Sequence, residues 1–138
     1  MNMQKRASIF AAIFIIALAV SAFAASGDAE LRKGVDSYRN GDLAAATAAF
    51  QRAVDTDPNN SAALSWLSFV LLKQNKAAEA VAPLQRASEL SPKDAEVWLN
   101  LGTAYLLIGE NEKAVTAYSE AYKLRPTSAD IIYNLANA

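Results

Sequence analysis

The chain has 138 residues, with 13 Lys plus Arg against 14 Asp plus Glu, and contains neither Cys nor His. Without cysteine it has no disulfides, zinc–thiolate sites or thiol nucleophiles, and without histidine it lacks the commonest general base and the commonest metal ligand. The near-neutral, unclustered charge offers no basic stripe for nucleic acid, so the composition argues against an enzyme, a metal protein and a nucleic-acid binder.

Residues 1–24 read as an export signal. Lys5 and Arg6 give a basic start, an apolar run free of charge extends from Ile9 to Val20, and Ala22-Phe23-Ala24 supplies the small residues of a cleavage site. Val20-Ser21-Ala22 offers a second such site. The alternative is an uncleaved anchor over residues 8–25, close to the roughly 17-residue lower limit for a spanning helix. No Cys follows the run, which excludes a lipid-anchored lipoprotein, and Lys5-Arg6 is not a twin-arginine pair. Cleavage removes Lys5 and Arg6 and leaves 11 basic against 14 acidic residues, a net charge of −3. The expected location is the periplasm or the extracellular space, with membrane contact only if the segment stays attached.

Beyond that segment the chain repeats itself with a period of about 34 residues. Pro58, Pro92 and Pro126 share one phase of the period, Ala46, Ala80 and Ala114 another, and Phe50, Leu84 and Tyr118 a third. Ala53, Ala87 and Ala121 keep the same interval, as do Leu67, Leu101 and Leu135, and Leu64, Trp98 and Ile132. Each period reads as two helices. From Asp94 to Leu107, Val97, Trp98, Leu101, Ala104 and Tyr105 follow a three-four spacing, which resumes from Glu112 to Leu124 at Ala114, Val115, Ala117, Tyr118 and Ala121. Gly41, Asn75 and Gly109 stand where a left-handed residue ends the first helix of a pair. Asn60, Asp94 and Ser128 stand where a side chain caps the next helix. Gly34, Ser68, Gly102 and Ala136 are small where two helices would cross closely. Pro83 removes one backbone donor from the second helix of its pair and predicts an outer-face bend.

Trp98-x2-Leu101-Gly102-x2-Tyr105, followed by Ala114-x3-Tyr118-x2-Ala121 and Pro126, resembles a complete tetratricopeptide repeat. The second period is looser, with Leu64, Ser68 and Leu71 at the aromatic, glycine and tyrosine places. The first has Glu30 and Lys33 where apolar residues usually stand, as suits a polar terminal repeat. The resemblance implies an all-α fold, an α-solenoid of about three helix-turn-helix units at 27–60, 61–94 and 95–128. A partial fourth unit or capping helix follows at 129–138. There, Ile132 and Leu135 are expected to pack on the third unit, leaving Ile131 and Tyr133 exposed.

The resemblance also implies a function: binding of a protein or peptide along a groove lined by the first helix of each pair. The positions it assigns to the groove hold Leu31, Val35 and Tyr38, then Ser65, Trp66, Phe69 and Leu72 with Lys73 at the rim, then Glu96, Leu99, Asn100, Thr103 and Leu107, then Asp130 and Asn134. Tyr38, Trp66, Phe69, Asn100, Thr103 and Asn134 are the candidate contacts. Trp66 and Phe69 are the candidate anchors, because aromatic residues dominate interface energies at about 2 kcal/mol or more each. The alternative is that they pack between adjacent first helices. Some relatives grip a terminal carboxylate with Lys, Arg and Asn. The matching places here hold Leu31, Val35, Trp66, Glu96 and Asn100 or, one period on, Ser65, Phe69, Asn100, Asp130 and Asn134. Neither set contains a basic residue, so no carboxylate clamp is expected.

The expected function is therefore an exported adaptor or scaffold module, with self-association through the C-terminal helix as the alternative. No cofactor, metal or small-molecule substrate is expected. The carboxylate pairs Asp55 with Asp57 and Glu110 with Glu112 fall at helix ends, where acids are ordinarily solvated or capping.

Overall fold

The computed structural model describes residues 26–138, and the expected export signal lies outside them. Seven helices and no strand occur among the described residues: α1 over 26–39, α2 Leu43–Thr56, α3 Ser61–Lys73, α4 Ala77–Leu90, α5 Ala95–Leu107, α6 Asn111–Leu124 and α7 Ala129–Asn137. None is long and apolar enough to cross a membrane.

The punctuation between helices follows from backbone chemistry. Gly41 and Gly109 take φ of +80° and +81°, and Asn75 takes the same turn at φ 61°. These left-handed residues reverse the chain within each helix pair. Between pairs, the Asn60 side chain accepts from the Ala63 N–H at 3.0 Å and Asp94 accepts from the Glu96 N–H at 3.0 Å. Asp42 does the same for α2 through the Ala45 N–H at 2.9 Å. Ser128 departs from expectation and makes no side-chain capping bond. Pro83 does not interrupt α4, which runs continuously from Ala77 to Leu90.

From α2 onward each helix packs on the next in the chain, and α3 also touches α5 directly. The odd helices thus form an inner row. On the other side α4 and α6 border one cleft, with α5 as its floor. One continuous core joins Phe50, Leu64, Leu67, Val70, Leu84, Val97, Leu101, Tyr105 and Tyr118. Gly34 and Gly102 set the close approach within their pairs. A Cβ on Gly102 would stand 2.5 Å from the Tyr118 ring, and one on Gly34 would run into the Phe50 ring. In the middle pair the corresponding ring is replaced by Leu84, and Ser68 takes the place of glycine, fully buried with its hydroxyl donating to the Leu64 carbonyl at 2.7 Å.

The C-terminal helix corrects one expectation. Ile131 is fully buried against Ala95, Ala121, Trp98 and Leu99, whereas Ile132 is 46% exposed. Ile131 stands one period after Val97 and two after Ala63, which are also buried. This register faces the preceding helix pair. Ile132 shares the phase of Trp98, which is itself only half-buried. Leu135 packs partly on the main core as expected, and Tyr133 is 70% exposed.

Candidate functional site

The inner row brings three aromatic side chains together. Tyr38 on α1 lies 5.7 Å from Trp66 and 5.5 Å from Phe69 between ring centroids. Trp66 and Phe69 meet edge to face at 6.0 Å on successive turns of α3. Beneath them the Trp66 indole stacks on Phe50 at 5.6 Å with an interplanar angle of 14°. Trp66 is therefore anchored from below by the core while part of its surface remains in solvent. Such a wall presents apolar area without the entropy cost of ordering a mobile side chain. Trp66 and Phe69 pack against Tyr38 of the adjacent first helix and also line open clefts.

Two clefts share Trp66 as a wall. One, of about 370 Å³, lies between α1 and α3 and is bounded by Leu31, Arg32, Val35, Asp36 and Arg39. The other, of about 180 Å³, lies between α3 and α5 and is bounded by Ser65, Phe69, Glu96 and Asn100. The Lys73 ammonium stands 5.3 Å from the Phe69 ring centre, in cation–π range. The Glu96 carboxylate is drawn toward Arg125, which donates to it at 2.8 Å.

The remaining groove candidates differ in their surroundings. Thr103 is half-buried and works for the core: its hydroxyl donates to the Leu99 carbonyl at 3.0 Å and accepts from the Tyr118 hydroxyl at 3.2 Å. Burial raises the Tyr118 pKa above its ordinary value of 10.0, and the bond to Thr103 lowers it by less. Asn134 is half-buried on α7 and borders neither cleft. Arg32 and Arg39 were not among the candidates read from sequence. Arg32 lies one period before Trp66 and Arg39 one period before Lys73, so the repeat register already contained their position.

A third cleft, of about 410 Å³, opens on the outer side between α4 and α6 over Trp98, Leu101 and Tyr105. Several of its polar groups already have partners. Gln85 donates to the Tyr105 hydroxyl at 2.8 Å, and Lys113 pairs with Glu110 at 3.2 Å while lying 5.6 Å from the Tyr105 ring centre. Ala117 and Ser88 leave this space open, whereas one period earlier Pro83 and Val54 occupy the matching places.

Asp55, Asp57, Glu110 and Glu112 are all exposed, and no cluster of potential metal ligands occurs among the described residues. Nor does any buried side-chain nitrogen or oxygen among them lack a hydrogen-bond partner.

Two family models, both described as tetratricopeptide repeat, match residues 37–98 and 70–129. Solved structures share the fold. The second such domain of human RPAP3, solved in complex with an HSP70 peptide, is similar at 19% identity with a TM-score of 0.76, over 86% of this chain and 96% of that one. The corresponding domain of Arabidopsis OM64 is similar at 16% identity with a TM-score of 0.77, over 83% and 95%. A mutant O-GlcNAc transferase of Thermobaculum terrenum is similar at 30% identity with a TM-score of 0.72, over 82% of this chain and 22% of the transferase. No curated protein matches the chain.

Proposed function

Residues 37–129 belong to the tetratricopeptide repeat family, and from that premise we propose that the chain is an exported, non-catalytic binding module that holds an extended segment of a protein partner along α1, α3 and α5. The observation that carries this reading is the aromatic wall: Tyr38, Trp66 and Phe69 converge on the inner row, with a cleft on either side of Trp66. A peptide complex of a fold relative, human RPAP3, supports a peptide partner by analogy. Export rests on the layout of residues 1–24, with its basic start, apolar run and Ala22-Phe23-Ala24.

Trp66→Ala with Phe69→Ala removes the wall but also core packing on Phe50. Asn100→Arg is the cleaner variant, because it crowds the α3–α5 cleft from a half-exposed position. Both variants should lower capture of cell-envelope proteins while the helical circular-dichroism signal is kept. Undiminished capture by folded Asn100→Arg and by the double alanine variant contradicts the groove. Export is tested by fractionation and N-terminal sequencing of the full-length product, with a mature chain beginning near Ala25 expected.

One observation favours a second reading, self-association. Tyr122, Ile132 and Tyr133 are exposed at the α6–α7 end. Sedimentation over a range of concentrations checks it: a mass that stays at that of one chain removes this reading.

A further inference from the structure

Arg32 and Arg39 are seven residues apart on α1, so two helical turns bring them to one face. Both border the 370 Å³ cleft against Leu31, Val35 and Trp66. The carboxylate between them is Asp36. It reaches Arg39 at 3.9 Å, and both partners keep more than 70% of their side chains in water, so the pair is held weakly. Arg32 is in none of the ion pairs among the described residues. Two guanidinium groups against one carboxylate leave a net positive charge beside an apolar wall. Lys73, one period on from Arg39, stands over the Phe69 ring and is not part of this cleft's lining, so it does not enter its charge balance.

The charge selects among anions. A surplus of one positive charge suits a monoanion, whereas a phosphoryl group carries close to two negative charges at neutral pH and would meet Asp36 at close range. Planar guanidinium forks match carboxylate oxygens in geometry as well as in sign. Beyond Trp66 the second cleft is walled by the Trp66 and Phe69 rings, and its one carboxylate, Glu96, is occupied by Arg125. An acidic group and an apolar group are thus accommodated on opposite sides of one indole. In an extended chain, residues two apart share a face at about 6–7 Å, so an acidic and an apolar side chain two residues apart can both point toward the groove.

We infer that the groove takes an internal, extended protein segment that sets an Asp or Glu side chain between Arg32 and Arg39 and an aromatic or branched apolar side chain against Trp66 and Phe69. This inference rests on the groove reading above and specifies the chemistry of the partner.

The test is an array of acetylated, amidated peptides of random sequence, probed with the full chain. Matched arms carry glutamine in place of glutamate, phosphoserine in place of the acid, or a free C-terminal carboxylate. The expected binders carry Asp or Glu within two residues of an aromatic or branched apolar residue, and amidation of that acid weakens binding at least about tenfold. Arg32→Glu with Arg39→Glu, both at exposed positions, should keep the helical signal and lose the preference for the acid. Binders indifferent to the acid, a preference for phosphoserine, a requirement for a free C-terminus, or no binders at all overturn the inference. The two levels separate cleanly. If Asn100→Arg abolishes binding but the acid has no effect, only the partner chemistry fails. If folded Asn100→Arg and Trp66→Ala bind every peptide as the parent does, the groove itself fails.

Discussion

Gly34 and Gly102 are empty because Phe50 and Tyr118 fill the space a side chain would need. Ser68 is admitted opposite Leu84 because that residue is smaller. Each pair is therefore a matched unit, and a double-mutant cycle can expose the matching. Gly102→Ser alone forces a side chain into the Tyr118 ring and should destabilise the chain by about 1–3 kcal/mol. Adding Tyr118→Leu recreates the Ser68–Leu84 pairing and should recover part of that loss, as read by chemical denaturation. Simple additivity would show that the two positions do not share space. Tyr118 also sets a pH limit. Its phenol is protonated in the folded chain beyond the ordinary value of 10.0, because burial disfavours the phenolate more than the Thr103 bond favours it. The unfolded chain ionises first, so the stability contributed by protonated Tyr118 is intact below pH 10 and falls as pH rises through the raised folded value. Thermal melts of wild type should therefore lose more above pH 10 than those of Tyr118→Phe, and identical alkaline slopes would contradict this account.

At the scale of the helix, α7 depends on one contact more than on its own propensity. Its nine residues fall short of the roughly 12–15 that an isolated helix needs. Ile131 supplies the one fully buried attachment, with Leu135 packing partly on the main core, and Ser128 contributes no capping bond. Ile131→Ala should cost about 2–5 kcal/mol of the local stability of α7, while Ile132→Ala should change it by no more than about 0.5 kcal/mol. Hydrogen exchange of the α7 amides distinguishes the two variants, and equal protection in both would refute the assignment. The same helix shows where sequence reasoning stopped. The repeat phase identified the register of α7, but it could not say which neighbour each phase faces. Val97 and Ile131 are buried, whereas Trp98 is only half-buried and Ile132 is 46% exposed.

For the whole molecule, the helical array was legible because its period is itself the packing rule: small residues at the crossings, left-handed Gly or Asn at the turns, proline after each second helix. The aromatic part of the inner row was legible for the same reason, since Trp66 stands outside the core phases of the repeat. The clefts on its two sides were not, because they arise between helices from different periods. Arg32 was passed over although it shares the phase of Trp66, since its role depends on Leu31, Val35 and Trp66 enclosing one space. The outer cleft over Trp98 and Tyr105 was equally hidden, as it depends on the combined loss of bulk at Ala117 and Ser88.

The inner and outer clefts make rival claims on a partner, and site-specific photo-crosslinking decides between them. A photoreactive residue placed at Asn100 reports on the inner groove, and one placed at Thr116 reports on the outer cleft. In cells producing the full chain, irradiation should yield a discrete cross-linked partner from position 100, diminished by Arg32→Glu with Arg39→Glu, and none from position 116. Cross-links from position 116 with none from position 100 would contradict the claim that this chain binds its partner along α1, α3 and α5.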